Sequence, residues 1–229
     1  MTAKHMTMPM SNINWLEQYA PNRLVGRRKS YLITKRIMDL AVVLLSSPFW
    51  LPLTGLIAIM IAVSSPGAPV IFPQMRTGKG GKRFKMYKFR TMVPNAEELK
   101  QKYMHLNELH WPDFKITNDP RVTPLGKILR KTSLDELPQL WNIITGDMSL
   151  VGPRPTSFGP ETYSLWHTER LDVQPGLTGL WQIIGRGETE FDDRLRLDIA
   201  YIERRCISLD IQILFRTIES ALIRHKGAH

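Results

Sequence analysis

The dominant feature of the hydropathy pattern is one long apolar run. From Leu40 to Val63, 24 consecutive residues carry no charge. As a straight helix the run would be about 36 Å long. A bilayer hydrocarbon core is roughly 30 Å thick, so the length permits a membrane span. The run is nevertheless interrupted at its midpoint by Ser47-Pro48, and Pro52 follows. A proline inside a helix removes a backbone donor and clashes with the carbonyl four residues back. Ser46 or Ser47 can return a hydrogen bond to a freed carbonyl, so the pattern predicts a stable bend with two legs of about 10–12 residues.

Beyond the run, the period of the pattern changes. "APVIFPQMR" and "KRFKMYKFRTM" read as two strands joined by "TGKGGK", with Gly78, Gly80 and Gly81 supplying the turn. That glycine loop lacks the G-x-x-x-x-G-K-[ST] spacing of a nucleotide-phosphate loop, so a hairpin turn is the better reading. "NAEELKQKYMHLNEL" reads as a polar helix, and "DPRVTPLGKILRK" as a turn followed by a short helix. "SLDELPQLWNIITGDMSL" reads as a helix ending near Gly146. "VGPRP" is expected to be loop, and "QPGLTGLWQIIGRG" shows turn signals around a short apolar run. Near the end, Ile211, Leu214, Phe215, Ile218 and Leu222 share one helical face, with Arg216, Arg224 and Lys226 nearby. Two readings of that face stand side by side: a membrane-interface helix, or a helix packed on the core. Residues 1–30 read as a surface arm, with a short helix possible around Trp15 to Tyr19, and they do not form a secretory signal.

Charge adds a direction to this outline. The chain has 229 residues and a net charge of +10, which calls for an anionic partner. Arg23, Arg27, Arg28, Lys29, Lys35 and Arg36 precede the apolar run with no acid among residues 21–36. Arg76, Lys79, Lys82, Arg83, Lys85, Lys88 and Arg90 follow it with no acid in 64–92. Basic residues favour the cytoplasmic side of a membrane, and a single span would put one cluster outside. A bent helix that enters and leaves through one leaflet keeps both inside. Asp39, just before the run, is expected to pair with a basic residue. The single cysteine, Cys206, excludes an internal disulfide and fits a reducing compartment.

The candidate chemistry is densest in "LRKTSLDELPQLWN". Asp135 and Glu136 are adjacent acids at a helix start. Ser133 to Glu136 matches a capping box, which would place Asp135 in the first helical turn. Alternatively the helix begins at Pro138 and both acids sit in the preceding turn. Two adjacent acids are common helix caps, so the pair alone proves no chemistry. The six histidines show no ligand spacing.

With its surroundings, the pair resembles a known family, the bacterial monotopic phosphoglycosyl transferases, or polyprenyl-phosphate sugar-1-phosphate transferases. The matching blocks are "KRIMDLAVVLLSSP", "YKFRTM", "NDPRVTPLGKILRKTSLDELPQLWNIITGDMSLVGPRP", "PGLTGLWQIIGR" and "LDIQILFRT", in order from about Lys35 to the C-terminus. The resemblance implies a re-entrant membrane helix bent at Ser47-Pro48, with Asp135 as nucleophile and Glu136 helping to hold Mg²⁺. It implies uridine recognition through Pro153, Arg154 and Pro155, and a diphosphate site drawing on Lys88, Arg130 and Arg186. The expected fold is α+β and mostly helical: a basic arm (1–34), a re-entrant helix (35–64) and a cytoplasmic catalytic domain (65–229) with a small hairpin and interfacial helices. The expected partners are a UDP-sugar, undecaprenyl phosphate and the bacterial inner membrane.

Two departures qualify the match. Many relatives carry an additional N-terminal module of several transmembrane helices, for which this chain is too short, so regulation through it is expected to be absent. Many also carry a basic residue before "PGLTG", where this chain has Gln174. Two rival readings remain. A conventional metal-dependent glycosyltransferase often shows Asp-x-Asp, and none is present. A non-catalytic basic membrane module fits the charge but not the Asp-Glu pair, and no nucleic-acid motif occurs.

Overall fold

The computed structural model describes residues 14–19, 21–22, 28–108, 116–162, 165–184 and 191–224. Much of the expected basic arm (1–13, 20 and 23–27) and Arg186 lie outside the described residues. A short 3-10 turn, Asn14–Leu16, is formed where the arm was expected to allow one.

The apolar run forms two helices, α1 (Lys29–Leu45) and α2 (Ser47–Ser64), meeting at Ser46. The break is chemically self-contained. Pro48 has no N–H to give the carbonyl of Leu44, and Ser47 Oγ donates to that carbonyl instead at 2.7 Å. Ser46 Oγ donates to Val42 O at 2.6 Å, and Trp50 Nε1 to Val43 O at 2.9 Å. Three carbonyls at the bend are thus satisfied by side chains within the bend, as a group in an apolar medium requires.

Both helices return to the same body. Along α1, Tyr31, Lys35, Asp39 and Val43 recur every four residues on one stripe. Tyr31 and Lys35 donate to Asp210 Oδ2 at 3.0 and 3.1 Å. Arg36 donates to the carbonyls of Ile143 and Ile144 at 2.5 and 2.8 Å. The expectation of a basic partner for Asp39 is corrected: its carboxylate accepts from Ser149 Oγ (2.7 Å) and the Leu150 N–H (3.3 Å). A hydroxyl and an amide satisfy it because α1 delivers it to the start of a strand. On α2, Ile57 and Ile61 are buried with Phe89 and Leu129, and Leu134 and Leu137 pack on that cluster. Between these anchors the apolar surface is bare, with Leu45 79% and Phe49 81% exposed.

The hairpin is β1 (Ile71–Thr77) and β2 (Arg83–Phe89), antiparallel with Ile71 opposite Phe89 and Thr77 opposite Arg83. Its turn places Gly80 and Gly81 at φ 63° and 76°, which explains the glycines. The expected polar helix is shorter than its pattern, α3 (Glu98–Lys102) followed by a 3-10 turn at Met104–Leu106. After it come α4 (Pro124–Thr132), a 3-10 turn (Leu134–Glu136) and α5 (Gln139–Thr145), which ends at Gly146 with φ 89°. The capping box is not formed. Ser133 sits at φ 58° with no side-chain cap, so the acids occupy the turn before α5.

A second, parallel sheet was not anticipated. It pairs β3 (Ser149–Val151) with β4 (Gly176–Thr178), Val151 opposite Thr178. Val151, expected in a loop, is therefore strand and fully buried. The chain continues through α6 (Leu180–Ile184), α7 (Phe191–Arg204) and α8 (Ile207–Arg224). The core gathers Ile143, Met148, Val151, Leu180, Tyr201, Leu209 and Ile213. α8 packs on the core through Leu209 and Ile213, whereas Ile211, Phe215 and Ile218 of the expected face are exposed. The Leu222 side chain lies outside the described ones.

One glycine sets the approach of α4 to the segment that follows β2. A Cβ on Gly126 would lie 2.0 Å from the backbone oxygen of Thr91. Gly126→Ala is expected to cost about 3 kcal/mol through forced backbone displacement, read as a lowered thermal midpoint.

Candidate active site

Four elements converge on one cleft of about 730 Å³. The 3-10 turn carries Asp135 and Glu136, β2 carries Lys88, α4 carries Arg130, and the loop after β3 carries Arg154; all five line the cleft. Phe72, Met92 and Trp181 add apolar wall. The turn is short because Ser133 reverses the chain at the end of α4, and Leu134 and Leu137 pin it from below against α2.

Glu136 is the electrostatic hub. Its Oε1 accepts from Lys88 Nζ at 2.7 Å and from Arg154 Nη2 at 2.5 Å, and Oε2 faces Arg154 Nη1 at 3.4 Å. Burial pushes its carboxyl up, but the Arg154 guanidinium and the Lys88 ammonium outweigh that and hold it well below the usual range. Burial lowers the Lys88 ammonium, and Glu136 opposes that shift.

Asp135 differs from its neighbour. Only 9% exposed, it is raised above the ordinary aspartate value by burial, with Lys88 counteracting and Glu136 adding to the rise. Arg130 lies in its field and donates from Nε to Thr91 Oγ1 at 2.9 Å. Two adjacent carboxylates are thus pushed apart: one locked as an ion-pair partner, the other less solvated and more basic. Such separation marks groups available for chemistry.

Pro153 and Pro155 do not line this cleft; they flank Arg154 and shape its loop. Pro153 O accepts from the Gly176 N–H at 2.9 Å, and Pro155 O from Arg76 Nη1 at 3.2 Å. Arg154 O accepts from Arg170 Nη2 at 2.6 Å, and Arg170 is paired with Asp198 at 2.7 Å. Burial raises Asp198 to about 6 despite that pair. Ser47 and Pro48 stand apart, at the helix break.

Several supporting residues carried no readable signal. Arg170 and Asp198 hold the Arg154 loop from distant segments. Asp119 and Arg121 form a buried ion pair at 2.7 Å beside the cleft; the "DPR" turn was visible but its pairing was not. Arg90 and Trp181 line the cleft without having been singled out.

Among the described residues, no group of three or more His, Cys, Asp or Glu is placed to hold a metal. That donor set does not make an all-protein cage. A metal bound in the cleft would draw on its carboxylates, Glu136 among them; Mg²⁺ uses one or two and completes its shell with substrate phosphates and water.

The family model described as bacterial sugar transferase matches residues 30–224. The chain is 41% identical to the galactosyl transferase CpsE of Streptococcus agalactiae over 198 residues, 85% of this chain and 43% of that protein. It is 39% identical to the undecaprenyl-phosphate galactose phosphotransferase of Salmonella typhimurium over 217 residues, 91% of this chain and 44% of that one. It is 38% identical to the exopolysaccharide production protein ExoY of Rhizobium meliloti, covering 83% of this chain and 86% of that one. The chain therefore spans less than half the length of the first two relatives and most of the third.

Proposed function

Because the chain belongs to the bacterial sugar transferase family, we propose that it transfers a sugar 1-phosphate from a UDP-sugar to undecaprenyl phosphate, with Asp135 as nucleophile. The observation that carries the reading is the cleft: a desolvated carboxylate beside Lys88, Arg130 and Arg154, at the foot of a bare apolar hairpin.

The reaction has two displacements. An oxygen of Asp135 attacks the sugar-linked phosphorus, the diphosphate P–O bond breaks, and UMP leaves with the bonding pair. A phosphate oxygen of the polyprenyl phosphate then attacks the same phosphorus and the Asp135 carboxylate leaves, giving a polyprenyl diphosphate sugar. Aspartyl phosphates form by this carboxylate chemistry elsewhere. Arg130, Arg154 and Lys88 neutralise charge on the diphosphate, and pre-placed cations in a cleft are effective at this. Arg154, held by Arg170 through its own carbonyl, orients the nucleotide end. Mg²⁺ would be held by Glu136 and substrate phosphates, supplying further charge neutralisation when bound.

The hairpin supplies access to the lipid. Among the described residues one helix, Ser47–Ser64, is long and apolar enough to cross a membrane. Two features favour re-entry through the cytoplasmic leaflet instead. Both legs are anchored on one body, and the break lies between the anchors at the most exposed apolar residues. From Ile57 back to Ser47 is about 15 Å of helix, half of a hydrocarbon core. A reporter fused ahead of Met1 should be cytoplasmic; a periplasmic reporter overturns re-entry.

The test of the mechanism is the intermediate. Incubated with its UDP-sugar and Mg²⁺ but no lipid acceptor, the protein should gain the mass of one sugar phosphate on Asp135 and release equimolar UMP. Transfer without any adduct, in rapid-quench samples, would contradict it. The pH profile follows from the same residue. Asp135 must be ionised to attack, and its ionised fraction falls as pH drops through a raised pKa. UMP release is therefore expected to show an acidic limb above the ordinary aspartate region near ~4, and a profile flat down to that region would contradict it.

A further inference from the structure

A second cavity, of about 520 Å³, shares no lining residue with the catalytic cleft. It lies between α1, the α5–β3 connection, the segment before β4 and the end of α7, with Lys79 of the hairpin turn on its rim. Four cations line it, and two are committed. Lys35 pairs with Asp210, and Arg36 donates to the carbonyls of Ile143 and Ile144. The two lining acids are also committed: Asp39 accepts from Ser149 and Leu150, and Asp172 has a partner of its own.

Arg205 is different. It is only 7% exposed, lines this cavity, and its Nε has no hydrogen-bond partner. It sits between α7 and α8, where an arginine could be explained as a cap on the last carbonyls of α7. Among the described residues, no carbonyl or carboxylate accepts a hydrogen bond from it. Leaving a buried donor without an acceptor is costly, and a ligand in the cavity would supply the acceptor that Nε lacks. Its planar fork matches the oxygens of a phosphate. Lys79 is exposed at the rim as a second charge. Leu32, 43% exposed, borders the mouth on the same helix whose Ile33 and Ile37 face outward at 59% and 62%. The mouth thus adjoins the apolar surface assigned to the membrane.

We propose that this cavity is a second phosphate-binding site, in which Arg205 takes two phosphate oxygens and Lys79 covers the mouth. The phosphate belongs either to an anionic lipid headgroup or to a free phosphate, and the chemistry of recognition is the same.

The test uses the full chain in neutral detergent, with binding followed by titration calorimetry. The probes are dihexanoyl phosphatidylglycerol, dihexanoylglycerol as the phosphate-free control, and inorganic phosphate. The phosphatidylglycerol should bind and the phosphate-free lipid should not. Arg205→Gln should weaken binding about 10- to 100-fold, the factor carried by a hydrogen bond to a charged group. Should Arg205→Gln fail to fold, Lys79→Glu serves, since Lys79 is exposed, and it should weaken binding at least about 10-fold by charge reversal at close range. Neither variant touches the catalytic cleft, so a loss assigns the binding to this cavity. Equal affinity for inorganic phosphate would identify a free phosphate as the ligand, and preference for the lipid a headgroup. Binding unchanged in the variants, or no binding of either phosphate probe, overturns the proposal.

Discussion

Asp135→Asn is expected to reduce UMP release by roughly 10⁴-fold or more, as removal of a nucleophile does when no neighbour can replace it. It should also abolish the covalent adduct. The neighbouring acid cannot substitute, because Lys88 and Arg154 fix Glu136 in place and lower its basicity, which makes it a poor nucleophile. The same substitution should leave folding intact. Burial already disfavours the charged form of Asp135, so a neutral amide of equal size relieves that penalty. The expected thermal midpoint is unchanged or slightly raised. Residual turnover within about tenfold of the parent, in a folded sample, would remove Asp135 from the nucleophile's role.

Glu136→Gln should behave oppositely. The change removes the one carboxylate facing Lys88 and Arg154 and leaves two cations side by side. Breaking a buried pair from one side costs about 3–5 kcal/mol. Arg154 is 30% exposed, so solvent screens part of the loss. We expect about 2–3 kcal/mol, or a midpoint lowered by roughly 5–10 °C for a chain of this size. The folded pKa of Glu136 is depressed, so its contribution is fully present above the ordinary glutamate range. It is lost as pH falls through the folded value, which places the effect at neutral pH in full. A companion Lys88→Met in the Glu136→Gln background should recover part of the midpoint by removing one uncompensated cation. Equal stability of Asp135→Asn and Glu136→Gln would contradict the division of labour between the two acids.

The long-range pattern of the chain was readable where it rests on chemistry that is local in sequence. The bend at Ser47-Pro48 follows from a missing amide and two hydroxyls within a few residues, and the structure closes it with those groups. The β1–β2 hairpin follows from glycines that must adopt positive φ. The parallel pair β3–β4 was not readable, because strands of three residues show no alternation and their partners lie far apart in sequence. The choice between capping box and turn was likewise not local. Ser133 terminates α4, so it could not cap the next helix. Of the candidate site, Lys88, Arg130, Asp135, Glu136 and Arg154 meet in one cleft, whereas Pro153 and Pro155 act behind it. Asp198 and Arg170 were invisible because a buried ion pair between distant segments has no spacing of its own.

In the proposed reaction the bond broken lies between the two phosphates. The most direct measurement is the nucleotide released from a panel of UDP-sugars by the purified protein, with undecaprenyl phosphate and Mg²⁺ and a chelator control. UMP is expected from at least one sugar, and its release is expected to be lost on chelation. UDP as the product would place the cleavage at the sugar carbon and contradict it.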